Sequence, residues 1–187
     1  MEPEKDTKAK LYSRYPWSSV LIYNSSTILH FLLGGIGIAL GYRFSTWVGY
    51  TFGGLYVIFS FVEMYVIMPL TVCPNCVYYR AKDSLCVSGL NILSKKIAKE
   101  GDMKDFARRA EGLFCSNNLY LASLIIPVMA IIPALIVNFS VVLLIIFLAV
   151  VILLLFRFFI IFPRIACLHC NAKYMCPQAE AMGVRNR

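Results

Sequence analysis

Polar and apolar residues in this chain fall into blocks. A polar stretch runs through Trp17, followed by apolar runs over Ser18–Tyr42 and Thr46–Leu70. A second polar stretch covers Thr71 to Asn118, and two further apolar runs cover Leu119–Val137 and Val141–Phe162. A helix of about 20 apolar residues, rising 1.5 Å per residue, crosses roughly 30 Å of hydrocarbon. Uniformly apolar blocks of that length, with no periodic polar face, predict membrane spans. The links Arg43-Phe44-Ser45 and Asn138-Phe139-Ser140 are short enough to force antiparallel neighbours. The expected fold is therefore an all-α membrane protein with four transmembrane helices. Its parts are a tail (1–17), a helix pair (18–70), a loop (71–118), a second helix pair (119–163) and a second tail (164–187).

Composition agrees with the pattern. Of the 187 residues, 59% are hydrophobic and only 15% charged, with a mean hydropathy of +0.71. A soluble domain of this size carries far more charge. The net charge of +8 comes from basic residues beside the spans, where anionic lipid head groups are their natural partners and nucleic acid is not. Outside the spans, sixteen Lys and Arg lie in the two tails and the long loop, and only Arg43 lies on the other side. This imbalance predicts that both tails and the loop are cytoplasmic. The N-terminal stretch has no apolar core followed by a small-residue cleavage site, so no cleaved leader is expected.

The long loop has its own periodicity. Ser88–Glu100 places Leu90, Leu93 and Ile97 at helical spacing. Asp102 is placed to cap a second helix carrying Phe106, Ala110 and Leu113. Both are basic and amphipathic, the pattern of helices lying on a membrane surface. In the first helix pair, Gly37 with Gly41 and Gly49 with Gly53 form GxxxG motifs, expected to pack spans one and two closely.

The ends of spans two and four are alike. P-x3-C-x2-C occurs at Pro69, Cys73 and Cys76, and again at Pro163, Cys167 and Cys170, at a constant offset of 94 residues. A third cysteine follows each pair, Cys86 in one half and Cys176 in the other, and an Ala-Lys dipeptide intervenes in both. The halves read as two parallel copies of a helix pair with a cysteine knuckle, related by an axis along the membrane normal. The same offset carries Glu63, the sole acid within the spans, onto Arg157. Intramembrane charges usually pair, so an ion pair between spans two and four is expected. Glu63 and Arg157, together with His30 of span one, form a candidate intramembrane polar site. A register-fixing pair is one role for it, and a proton or quinone site the other.

All seven cysteines fall just outside the spans on the predicted cytoplasmic side. Reducing cytosol disfavours a disulfide framework, and an odd count leaves one thiol over. Two C-x2-C turns are a metal-ligand pattern, since each directs two thiolates at one centre and a pair completes a tetrahedral shell. The candidate ligands are Cys73, Cys76, Cys167, Cys170, Cys86 and Cys176, with Cys115 and His169 as further donors. Thiolate softness selects iron or zinc over magnesium or calcium.

Cys73-Pro-Asn-Cys76 resembles the CPxC knuckle of rubredoxins and zinc ribbons, and Cys167-Leu-His-Cys170 resembles the facing knuckle. The resemblance covers only these residues. It implies mononuclear iron or zinc. Cys176-Pro177 is similar to the terminal C-P of ferredoxin loops, but its spacing departs from theirs.

These observations lead to three functional expectations. One is an electron-transfer module or membrane subunit holding an iron–sulfur cluster or rubredoxin-like iron, with a redox or membrane-complex partner. The second is a structural zinc scaffold with no redox role. The third is a soft-metal-ion transporter, which an intramembrane arginine disfavours. Thiol–disulfide catalysis lacks the βαβ context it requires, and no catalytic constellation stands out.

Overall fold

The computed structural model describes residues 9–42, 46–106 and 116–186. Among these it is helical, with no strand beyond two isolated bridges. Four helices are long and apolar enough to cross a membrane. Span one is Trp17–Gly41, started by Pro16, whose extended backbone sits at the N-cap. Span two is α-helical over Thr46–Val62. It continues as a π-helical segment over Glu63–Ile67 and an α turn over Met68–Thr71. Span three is Ser116–Val137. Span four is α-helical over Val141–Phe156 and π-helical over Arg157–Ala166.

Spans two and four thus run beyond their expected ends, directly into the cysteine turns. The widened segments have a local cause. Pro69 and Pro163 have no amide hydrogen, and each ring crowds the carbonyl four residues back. A π turn moves the bonding register by one residue: the Met68 amide donates to the Glu63 carbonyl, and the Cys167 amide to the Phe162 carbonyl at 2.7 Å. The helix accommodates its proline without stopping.

Span one is the hub, packing on all three other spans, while span three also packs on two and four. Close approach rests on glycine. A Cβ on Gly53 would stand 2.5 Å from the Gly35 carbonyl oxygen, and one on Gly49 would strike the Ala39 carbonyl. These contacts join spans one and two, as expected. Gly37 and Gly41 do something else: their missing Cβ atoms make room for Ile131 and Ala134 of span three. The first GxxxG therefore serves the contact between spans one and three, because span one presents small residues on two faces.

Two prolines inside span three each remove an amide donor, and at Pro127 a side chain from span two replaces it. Pro127 cannot bond the Ser123 carbonyl, which instead accepts the Tyr56 hydroxyl at 2.9 Å. The adjacent Leu124 carbonyl lies 2.9 Å from His30 Nε2. Near Pro133, the Ala130 carbonyl accepts the Tyr42 hydroxyl at 2.9 Å. In hydrocarbon there is no water to satisfy such groups, so these bonds let a proline-broken helix persist there.

Outside the spans, the loop helix is Leu90–Ile97. Leu90, Asn91 and Ser94 are buried against the protein, while Leu93 and Ile97 are exposed on its outer side. The polar residues are inside because they satisfy backbone. Ser94 Oγ donates to the Pro69 carbonyl at 2.7 Å, and Asn91 Nδ2 to the Ser84 carbonyl at 2.9 Å. Of the second expected helix, Asp102 accepts the Lys104 amide at 3.0 Å and Phe106 is buried. Ala110 and Leu113 lie outside the described residues.

Candidate functional site: a cysteine cap and a polar layer beneath it

Each C-x2-C motif folds as a tight turn closed by the same bond. The Cys76 amide donates to the Cys73 carbonyl at 3.1 Å, and the Cys170 amide to the Cys167 carbonyl at 3.2 Å. Cys73-Pro74-Asn75 forms a 3-10 turn that Asn75 fastens to span two, its Nδ2 donating to the Thr71 carbonyl at 2.7 Å. The Gly101 amide donates to the Pro74 carbonyl at 3.1 Å, so the far end of the loop folds over the first turn.

A segment that the sequence presented only as a tail ties the second turn to Leu85, next to Cys86 of the first loop. Residues 10–15 run extended between them. The Tyr12 amide donates to the His169 carbonyl at 2.9 Å, and the Tyr15 amide to the Leu85 carbonyl at 2.9 Å. Bridges pair Tyr12 with Cys170 and Arg14 with Leu85. Three tyrosines build the floor. The Tyr78 hydroxyl donates to the Tyr12 carbonyl at 2.6 Å and accepts the Asn171 amide at 3.2 Å. The Tyr15 hydroxyl donates to the Ala166 carbonyl. The Tyr12 ring stacks on His169 at 4.6 Å. Burial, then nearby cysteines, push the Tyr15 hydroxyl up in proton affinity, and Tyr78 is raised chiefly by burial, so both stay protonated donors. The sequence signal for this floor was Tyr12 and Tyr15 in an otherwise charged tail.

Six cysteines lie among the described residues, all free and half-buried. Cys115 lies outside those residues. Cys76, Cys86 and Cys170 pack around the cluster of Tyr15, Val20, Tyr78 and Leu85. Burial is the main influence on Cys73, Cys76, Cys167 and Cys170, and neighbouring thiols add to it. Cys76 is pushed up to about 12, by burial first and then by Cys170, Cys86 and Cys176. Cys170 is pushed up to about 11, by burial and then by Cys176 and Cys86. Cys167 reaches about 12 through burial, Cys176 and Cys170. Thiols of both loops thus sense one another. Yet among the described residues no three Cys, His, Asp or Glu side chains stand close enough to hold a metal ion. His169 is turned away from the thiols, with Nδ1 2.7 Å from the Lys10 carbonyl oxygen. One unforeseen cation is present. Lys173, between Cys170 and Cys176, is fully buried, and its Nζ donates to the Leu168 carbonyl at 3.3 Å.

No family model, curated protein or solved structure matches this chain. The reading of its site therefore rests on its own residues.

Beneath the cap lies a buried polar layer. Arg157 is 1% exposed, and its guanidinium is faced by the rings of Tyr23 at 4.6 Å, Phe162 at 5.2 Å and Tyr120 at 5.4 Å. Its Nη1 donates to Ser26 Oγ at 3.3 Å. The ring faces carry negative potential and stabilise the cation. Glu63 is fully buried, and neither carboxylate oxygen has a hydrogen-bond partner among the described residues. The expected Glu63–Arg157 ion pair is not formed. Spans two and four flank the central pair and do not pack extensively on each other, so Arg157 turns toward spans one and three. His30 joins this layer through Leu124, leaving Nδ1 without a hydrogen-bond partner among the described residues.

Proposed function

We propose that this chain is a multi-pass membrane protein whose cysteine cap, assembled from both halves, binds a soft metal and serves electron transfer. The metal is iron, as an iron–sulfur cluster or a rubredoxin-like centre. Both tails and the cap face the cytoplasm. One observation carries the reading: Cys76 and Cys86 of the first loop and Cys170 of the second pack on one cluster, and Cys86 and Cys176 lie near enough to Cys76 and Cys170 to raise the proton affinity of those two thiols. Three thiols from the two loops packed on one tyrosine cluster, with three more beside them in the chain, are a donor set for iron or zinc and for few other ligands. The donors are not at metal-bond spacing. Metal sites are commonly completed by binding, because thiols must lose protons before they draw together around a cation. Buried thiols that hold their protons to about 11 or 12 make this coupling strong.

Duplication of the helix pair fits the same reading. Contacts between spans one and three join residues about 94 apart. His30 meets Leu124 and Gly37 meets Ile131, with Gly34 against Pro127 and Gly41 against Ala134. The spacing 30, 34, 37, 41 is the seam of two parallel helices packed in register. Such a seam is what a two-fold axis along the membrane normal produces, and it would bring the two knuckles to face each other.

The test is metal analysis and visible absorption on protein purified without oxygen. Iron at one or more atoms per chain, with visible bands lost in Cys76→Ser and Cys170→Ser, is the expected result. Colourless protein replete in zinc favours a structural clamp instead. That reading has its own support in the N-terminal segment, which already ties the two loops together. Failure to take up either metal on reconstitution overturns both.

A further inference from the structure

We propose that Glu63 is a reversible proton-binding carboxyl inside the membrane. It is the one acid in the spans, is fully buried, and has no hydrogen-bond partner at either oxygen among the described residues. A carboxylate left without a donor in hydrocarbon is far costlier than its neutral acid, so such a group takes up a proton. Among the described residues no cation is bonded to it. The charged and titratable groups of the same layer are His30 and Tyr23 of span one, Tyr65 of its own span, Tyr120 of span three and Arg157 of span four. None is bonded to Glu63. Arg157 is held by Ser26 and three rings, and His30 by Leu124.

Two further observations separate this position from a chance buried acid. Glu63 opens the π-helical segment of span two, and Arg157 opens that of span four. Such segments are frequent at functional positions, because the widened turn displaces a side chain from its ordinary helical register. The layer also contains a fixed cation without a carboxylate partner among the described residues. A proton leaving Glu63 therefore leaves a negative charge in a helix bundle whose interior also holds a positive one. The ligand is a proton, for which a closed site needs no cavity. The proposal does not depend on any metal in the cap.

The experiment uses the full chain in lipid vesicles and dicyclohexylcarbodiimide, an apolar reagent that attacks protonated carboxyls. Peptide mass spectrometry reads the label. Glu63 should be modified, while a water-soluble carbodiimide should reach the exposed Glu100 and Glu180 and spare Glu63. Above the titration point the label should fall about tenfold per pH unit. Infrared spectra should show a protonated-acid carbonyl band that disappears in Glu63→Gln. Labelling that does not change with pH, or absence of both label and band, overturns the proposal. So does protection in the wild type that is lifted in Arg157→Met, because it would mean that the ion pair forms in the bilayer.

Discussion

Pro127 shows how single residues hold this protein together. Its ring leaves the Ser123 carbonyl without a helical donor, and the Tyr56 hydroxyl supplies one across the interface at 2.9 Å. Interhelical hydrogen bonds in membranes contribute about 0.6 kcal/mol on average and about 1.7 at most. Tyr56→Phe keeps the ring and removes only that donor, so it should destabilise the fold within this range, read from unfolding in mixed detergent micelles. Asn91 does comparable work in the cap. Its Oδ1 accepts the Cys86 amide at 3.1 Å while Nδ2 donates to Ser84, which fixes the third cysteine of the first loop. Nothing in the composition of Ser88–Glu100 marked Asn91 as an inward residue. Its role depends on which backbone groups the folded loop brings to it.

Among the helical elements, the glycines of span two divide by what faces them. Gly53 lies against the Gly35 carbonyl, whereas a Cβ on Gly54 would meet nothing within 4 Å. Gly53→Ala should therefore push spans one and two apart at a cost of about 1–3 kcal/mol. Gly54→Ala should be neutral or slightly stabilising, since alanine is the better helix former by about 1 kcal/mol. The same unfolding assay on the two adjacent variants checks the pair. The small-residue pattern showed that close packing was needed. It did not show that Gly37 and Gly41 would serve span three, because a motif on one helix carries no address for its partner. The π segments were equally hidden. Pro69 and Pro163 were visible, but proline at that position ends a helix or widens it, and packing of the continued helix onto the rest of the bundle settles which.

For the whole molecule, orientation is the property most open to test. A membrane-impermeant maleimide should modify cap thiols such as Cys86 and Cys176 in inverted vesicles and leave them untouched in right-side-out vesicles. The reverse pattern would place the cap outside and contradict the charge distribution. Chain order alone could not reveal that residues 10–15 join the two cysteine loops, because the bonds to His169 and Leu85 link residues far apart in the sequence and run through backbone groups. Those groups carry no side-chain signature. The same holds for the missing ion pair: matching positions of opposite charge were legible, but whether they meet depends on which spans touch. The number of spans, their approximate limits, the knuckle spacing and the 94-residue offset followed from residue order, because hydrocarbon imposes length and apolarity on any helix that crosses it. Which helices pack on which, where Arg157 points, why Glu63 stands alone and how two distant cysteine turns come to share a tyrosine floor were decided by the tertiary structure. Those outcomes depend on contacts between residues far apart in the chain, made only when the helices are assembled.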